Sequence, residues 1–313
     1  RETLTARGSN FRVPQVNFLR AVQGRGTQPL AAAVALTWMG TRIETWPADR
    51  RAGLEALFSK VIYKPTAEWK EEIVCLDPAP GGPLNAVLPD GRKIKIQPGQ
   101  DPRLAFADWL FAPNNRWFAR AAVNRYWAWT FGRGIVHEPD DIHPGNPPSV
   151  PGLLDHLEKE FVSSGYDPKK LLRLIMNSRV YQLSPVARSA DPKSASLFAS
   201  YPVRRLEAEV LLDAICMLTG TTEGYNSPIP EPFTYLPPSA RCVNLADASI
   251  TSPFLEMFGR SQRDSGRMME RSNNMSDAQR LHLLNSSQVQ GKIERSWKIK
   301  SLLQGKRREP AVV

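Results

Sequence analysis

The chain has 313 residues, 42% of them hydrophobic, enough for a real core in one large domain or two modest ones. No apolar run approaches the roughly 20 residues that a bilayer-spanning helix needs. Cys75, Cys216 and Cys242 are widely spaced, odd in number and without a Cys-x-x-Cys pair, which argues against a disulfide framework, a zinc knuckle or a covalently attached haem.

The net charge of +10 is uneven. Residues 1–60 carry nine Lys/Arg against four Asp/Glu, and residues 259–313 carry twelve against five, while the middle is near neutral. Basic ends of this kind suit anionic glycans, lipid headgroups or nucleic acid; the competing reading is a solvated basic helix face. Nucleic-acid binders interleave aromatic readout with their charge. The tail "KIERSWKIKSLLQGKRRE" offers only Trp297, which argues against nucleic acid. The opening "RETLTARGSN" and the closing "KRREPAVV" carry no start, targeting or stop signal, so a fragment is expected.

In chain order, "QPLAAAVALTWMG" (28–40) predicts a helix stopped by Gly40. "WPADRRAGLEALFSKV" predicts the next, with Pro47 near its start and Leu54, Leu57, Phe58 and Val61 on one face. Residues 71–97 alternate around a "PDG" turn and read as a hairpin or three-strand element. Helices then return: "PRLAFADWLF", and "NNRWFARAAVNRYWAWTFG" ending at Gly132. Next come "VPGLLDHLEKEFVSSG" capped by Ser149, and "KKLLRLIMNSRVYQLS" with Asp167 as N-cap and Pro168 at the first position. "RRLEAEVLLDAICMLTG" is amphipathic, residues 221–250 are Pro-rich and extended, and "SPFLEMFG" is short. Ser276 and Gln279 form a capping box for one long helix, "DAQRLHLLNSSQVQGKIERSWKIKSLL". The fold class expected is mainly α, a multi-helix orthogonal bundle with a small β-hairpin or three-strand insert. The divisions are 1–70 as the helical end of a preceding module, 71–100 as the β insert, 101–303 as the main helical domain and 304–313 as a truncated basic tail.

The chemistry-bearing candidates centre on "FGRGIVHEPDDIHPGNPPSVP" (131–151). It sets His137 and His143 around Asp140 and Asp141, a spacing able to chelate a divalent ion. Asp side chains in loops also accept backbone N–H bonds, and Arg125 or Arg133 is placed to neutralise them. Adjacent carboxylates otherwise repel, which raises one pKa or recruits a cation. Asn124 and Arg125 sit mid-helix among apolar residues and need partners, so a contact with this loop is expected. Trp109, Trp117, Phe118, Tyr126, Trp127 and Trp129 read as a buried aromatic core or a sugar-stacking platform. Cys216 reads as a small hydrophobe on an apolar helical stripe. His282 reads as a satisfied interior histidine, with a role as base the alternative, and Ser272, Asn273 and Ser276 as caps and turns. There is no G-x-S-x-G, P-loop, dinucleotide fingerprint, H-E-x-x-H or EF-hand loop.

The run "FARAAVNRYWAWTFGRGIVHEPDDIHPGNPPSVPGLLDHLEKEFVSSGYDPKKLLRLIMNSRVYQLS", followed by "RRLEAEVLLDAI", "FLEMFGR" and "QRLHLLNS", resembles a family of large planctomycete-type envelope proteins of unknown function. The likeness covers residues from about 101 to 300. "LTWMGTRIETWPADRRAGLEALFSKV" looks like the tail of the family's preceding helical module. Members join a cytochrome-c-like haem module to two helical modules, so the resemblance implies a periplasmic or cell-envelope location and haem only in a separate module, with no cofactor in this chain. It matches Asp140 and Asp141 but not His137 or His143. Two soft-metal positions of relatives are absent here: "GTRIETWP" lacks Cys and His, and Arg267-Met268-Met269-Glu270-Arg271 lacks the Cys-x-Cys, so no thiol-borne role carries over.

The leading expectation is a scaffold or interaction module beside redox or polysaccharide-handling partners, such as the haem-bearing module or other envelope proteins. The alternative is a hydrolase on a glycan or ester using Asn124, Arg125, Asp140, Asp141 and His282, with Asp140 and Asp141 as the metal candidates. A third reading is anionic-polymer binding by the basic ends.

Overall fold

The computed structural model describes residues 1–22, 24, 26–79, 81–191, 193–227, 234–245, 250–261, 271 and 274–304. The protein is mainly α, with one three-stranded and one two-stranded antiparallel sheet. The described residues form two compact units, one from Arg1 to Val203 and one from Arg204 onward.

In the first unit, helix Thr27–Val34 continues as a π-helical turn over Ala35–Met39 and ends at Gly40, whose φ is 61°. A Cβ at Gly40 would lie 3.2 Å from both Ala121 and Ile142, so close packing and the left-handed backbone both call for glycine. Helix Ala48–Phe58 buries Leu54, Leu57 and Phe58 as its periodicity requires. Val61, expected on the same face, instead opens the strand Val61–Pro65. That strand pairs with Glu72–Leu76, which pairs on its other edge with Gly8–Ser9. Strand structure therefore begins earlier than the alternation in 71–97 indicates, and the Gly8–Ser9 edge depends on a distant pairing that leaves no local signal. Leu84–Val87 and Lys93–Ile96 form the expected hairpin around the Pro-Asp-Gly turn.

Helix Pro102–Leu110 starts on Asp101, whose carboxylate accepts the Arg103 N–H at 3.0 Å. Arg103 is fully buried and donates to the Thr5 and Ala6 carbonyls, which fastens the N-terminus to this helix. Helices Trp117–Phe131, Pro151–Ser163 and Pro168–Met176 close around Trp127, Phe131, Leu154, Leu157, Phe161, Leu171 and Ile175. Asp167 caps the last of them as expected. That helix stops at Met176, short of the predicted Ser184. Ser178 turns its hydroxyl back to the Ile175 carbonyl at 2.6 Å, a local bond that competes with further helix. Ser149 is not the cap it was expected to be. Its hydroxyl donates to the Ile135 carbonyl at 3.0 Å, and Val150 precedes the helix without a side-chain cap.

The second unit packs helices Ala208–Thr219 and Pro253–Met257 over a core of Ala208, Leu212, Cys242, Phe254, Leu255 and Phe258. The first of these starts at Ala208, four residues inside the predicted run from Arg204. The single helix predicted for 277–303 is three: Asp277–Asn285, Ser287–Arg295 and Trp297–Gln304. Ser286 and Ser296 make the breaks, each accepting a backbone N–H three residues on, from Val289 at 3.2 Å and Ile299 at 3.0 Å. The capping box of Ser276 and Gln279 is present. Ser272, Asn273 and the Arg267–Glu270 departure lie outside the described residues, as does the basic tail from residue 305.

Candidate functional site

Helix Trp117–Phe131 presents Asn124 and Arg125 to the loop that follows it. Asn124 is fully buried. Its amide donates to the carbonyls of Val136 at 3.0 Å and Pro139 at 3.3 Å, and its Oδ1 accepts from the Val136 N–H at 2.9 Å. A polar side chain thus sits in the core at little cost, because it replaces the water that three loop groups would otherwise need. The turn leaves no room for a side chain at Gly134, where a Cβ would fall 2.2 Å from the Val136 carbonyl oxygen.

Arg125 reaches further. Its Nε donates to Asp140 Oδ1 at 2.6 Å, its Nη2 to the Leu36 carbonyl at 2.7 Å, and its Nη1 to the Thr37 carbonyl. Leu36 and Thr37 belong to the last turn before Gly40, at the negative end of the helix dipole, and the Leu36 carbonyl also accepts the Gly40 N–H at 3.2 Å. One guanidinium therefore satisfies a helix end and a carboxylate together. The Ile142 N–H donates to the Gly40 carbonyl at 2.7 Å, pinning the loop to the same turn. The expected contact of Asn124 and Arg125 with the loop is present, and the role of Leu36, Thr37 and Gly40 in it was not foreseen.

The two aspartates part company. Asp140 is 3% exposed, and its Oδ2 has no hydrogen bond among the described residues. Asp141 is half-buried, 3.4 Å from Arg42 Nε and 3.5 Å from His143 Nε2. His143 Nδ1 accepts the Gly145 N–H at 3.1 Å, while His137 lies 3.7 Å from Glu138. Asn146, which the sequence reading passed over, clamps the His137 and Asp141 carbonyls. The two histidines thus address different carboxylates. Among the described residues no three of His, Cys, Asp and Glu gather as a metal-ligand set. A guanidinium also stands beside each aspartate, opposing a cation there.

The other candidates are dispersed. Arg133 is half-buried and makes no ion pair with either aspartate. Trp109 and Trp127 are buried, Trp127 stacking on Phe131 at 4.3 Å, so the aromatic set forms no common exposed platform. His282 belongs to the second unit, where its Nε2 lies 3.2 Å from Gln288 Oε1 and its ring packs edge-on against Phe254 and Phe258. Burial pushes the Cys242 thiol up to about 12. Burial raises Cys216 too, although Lys292 Nζ lies 3.4 Å from its sulfur. Neither of these two is a ready thiolate.

The chain belongs to the PSD1 family, described as "Protein of unknown function (DUF1553)", whose match spans residues 102–308. No curated protein and no solved structure matches the chain. No helix among the described residues is long and apolar enough to cross a membrane.

Proposed function

We propose that this PSD1-family chain is a scaffold or interaction module, in which Asn124, Arg125 and Asp140 are a fold-holding lock and not a reaction centre. One observation carries the reading. Both amide hydrogens of Asn124 go to Val136 and Pro139, and all three nitrogens of Arg125 donate, to Asp140, Thr37 and Leu36, within a largely buried joint. A reaction centre needs side chains with free hydrogen-bonding capacity facing a substrate. The envelope location and the redox or polysaccharide-handling neighbours form part of the proposal and rest on the sequence resemblance described above.

The test is elemental analysis of the purified chain and of Asp140→Ala/Asp141→Ala, with thermal melting and assays on glycan and ester substrates. The lock reading expects no stoichiometric ion, a lowered melting temperature in the double variant and no turnover by either protein. An ion lost in the variant, or turnover abolished by it, would replace the lock with metal-assisted or hydrolytic chemistry.

A further inference from the structure

A cleft of about 390 Å³ opens beside the lock. Its walls are apolar: Trp117, Val136, Ile142, Pro144, Pro147 and Pro148. Arg116, Arg120, His143 and Asn146 complete the lining. The volume lies at the lower end of the roughly 300–1,000 Å³ of ligand sites, which suits a few residues of extended chain and not a folded domain.

The charges at the cleft are already balanced. Arg116 Nη2 contacts Asp155 at 2.8 Å and Glu158 at 3.0 Å, and Arg120 Nε contacts Glu158 at 3.0 Å. Two guanidiniums thus face two carboxylates, so the electrostatic complement of the wall is an uncharged ligand. His143 and the Asn146 amide are committed within the loop. The side-chain donors that make no bond among the described residues are Trp117 Nε1 and the Nη1 groups of Arg116 and Arg120, while Asn146 keeps one acceptor, Oδ1. The fitting ligand is uncharged and apolar-faced, rich in acceptors and poor in donors.

A proline-rich segment has those properties, because its tertiary amides offer carbonyls without N–H groups and its rings stack on indole and pyrrolidine faces. We propose that the cleft docks an extended, uncharged proline-rich segment of a partner protein. The segment stacks on Trp117 and the three prolines, and its carbonyls accept from the indole and guanidinium donors. This rests on the interaction-module reading and names the partner chemistry for it.

The probe is fluorescently labelled, end-blocked octaproline, followed by anisotropy with the whole chain, beside a Gly-Ser peptide of equal length. Saturable binding below about 1 mM is expected, insensitive to added salt and absent for the Gly-Ser control. Trp117→Phe keeps the packing ring but removes the N–H, and Pro147→Asp places a charge on an exposed wall position. Each should weaken binding roughly tenfold or more, and Pro147→Asp should leave the melting temperature unchanged. No saturation, steep salt dependence, or unchanged affinity in Pro147→Asp would overturn the proposal. The result is separable from that on the lock, since octaproline can fail while Asp140→Ala/Asp141→Ala still behaves as a fold-holding lesion, and the reverse.

Discussion

Asp140 and Asp141 are neighbours in the chain and opposites in the fold. The Asp140 side chain is 3% exposed against Arg125 at 12%, whereas Asp141 at 29% faces Arg42 at 48%. Removing one partner of a buried ion pair leaves the other charge unpaired, which costs about 3 kcal/mol or more. A screened surface pair contributes less than about 1 kcal/mol. Asp140→Ala should therefore lower the unfolding free energy in urea by about 3 kcal/mol, and Asp141→Ala by under about 1 kcal/mol. Equal losses would show that Arg125 is held by the Leu36 and Thr37 carbonyls alone. The presence of two acids and a mid-helix Asn-Arg pair was legible in the sequence. Which acid Arg125 would choose was not, since that choice depends on burial.

At the scale of elements, serine placement decides more than hydrophobic periodicity. The pattern over 277–303 continues through Ser286 and Ser296, so period alone predicts one helix. Each serine instead takes an extended backbone and accepts an N–H from the following turn, converting an interior position into an N-cap. Ser296 is fully buried, so its hydroxyl has no water to fall back on. Ser296→Ala should cost the second unit about 1 kcal/mol in chemical denaturation, with a gain of helical signal in far-UV circular dichroism as the break closes. Unchanged helicity would mean that tertiary packing, and not the serine, breaks the helix.

For the molecule as a whole, each unit contains a buried acid pinned by arginines. Burial pushes the Asp101 carboxyl upward, but hydrogen bonds from Arg103 and Arg7 and the Arg103 charge hold it below its ordinary value. Burial likewise opposes ionisation of Glu209, and Arg271, its own backbone and Arg260 overcome that and lower it. A depressed carboxyl binds more protons in the unfolded chain, so its stabilisation is present above the unfolded values of about 4 and is lost as pH falls through the folded ones. Stability should fall steeply below about pH 4, as followed by urea midpoints across pH. Asp101→Asn with Glu209→Gln should flatten that slope while lowering stability at neutral pH. An unchanged slope would assign the acid sensitivity to other carboxyls.

By itself the sequence determined the mainly α class, most helix starts, the hairpin at the Pro-Asp-Gly turn and the glycine stops at Gly40 and Gly132. These are decided within one or two turns, by side-chain period, capping oxygens and the steric freedom of glycine. The tertiary structure alone decided that Gly8–Ser9 joins the sheet and that Arg125 caps a helix ending at Met39. It alone buried Asp140 and left Asp141 half-exposed. Those outcomes depend on which groups far apart in the chain are removed from water together, and burial sets the worth of each charge and hydrogen bond.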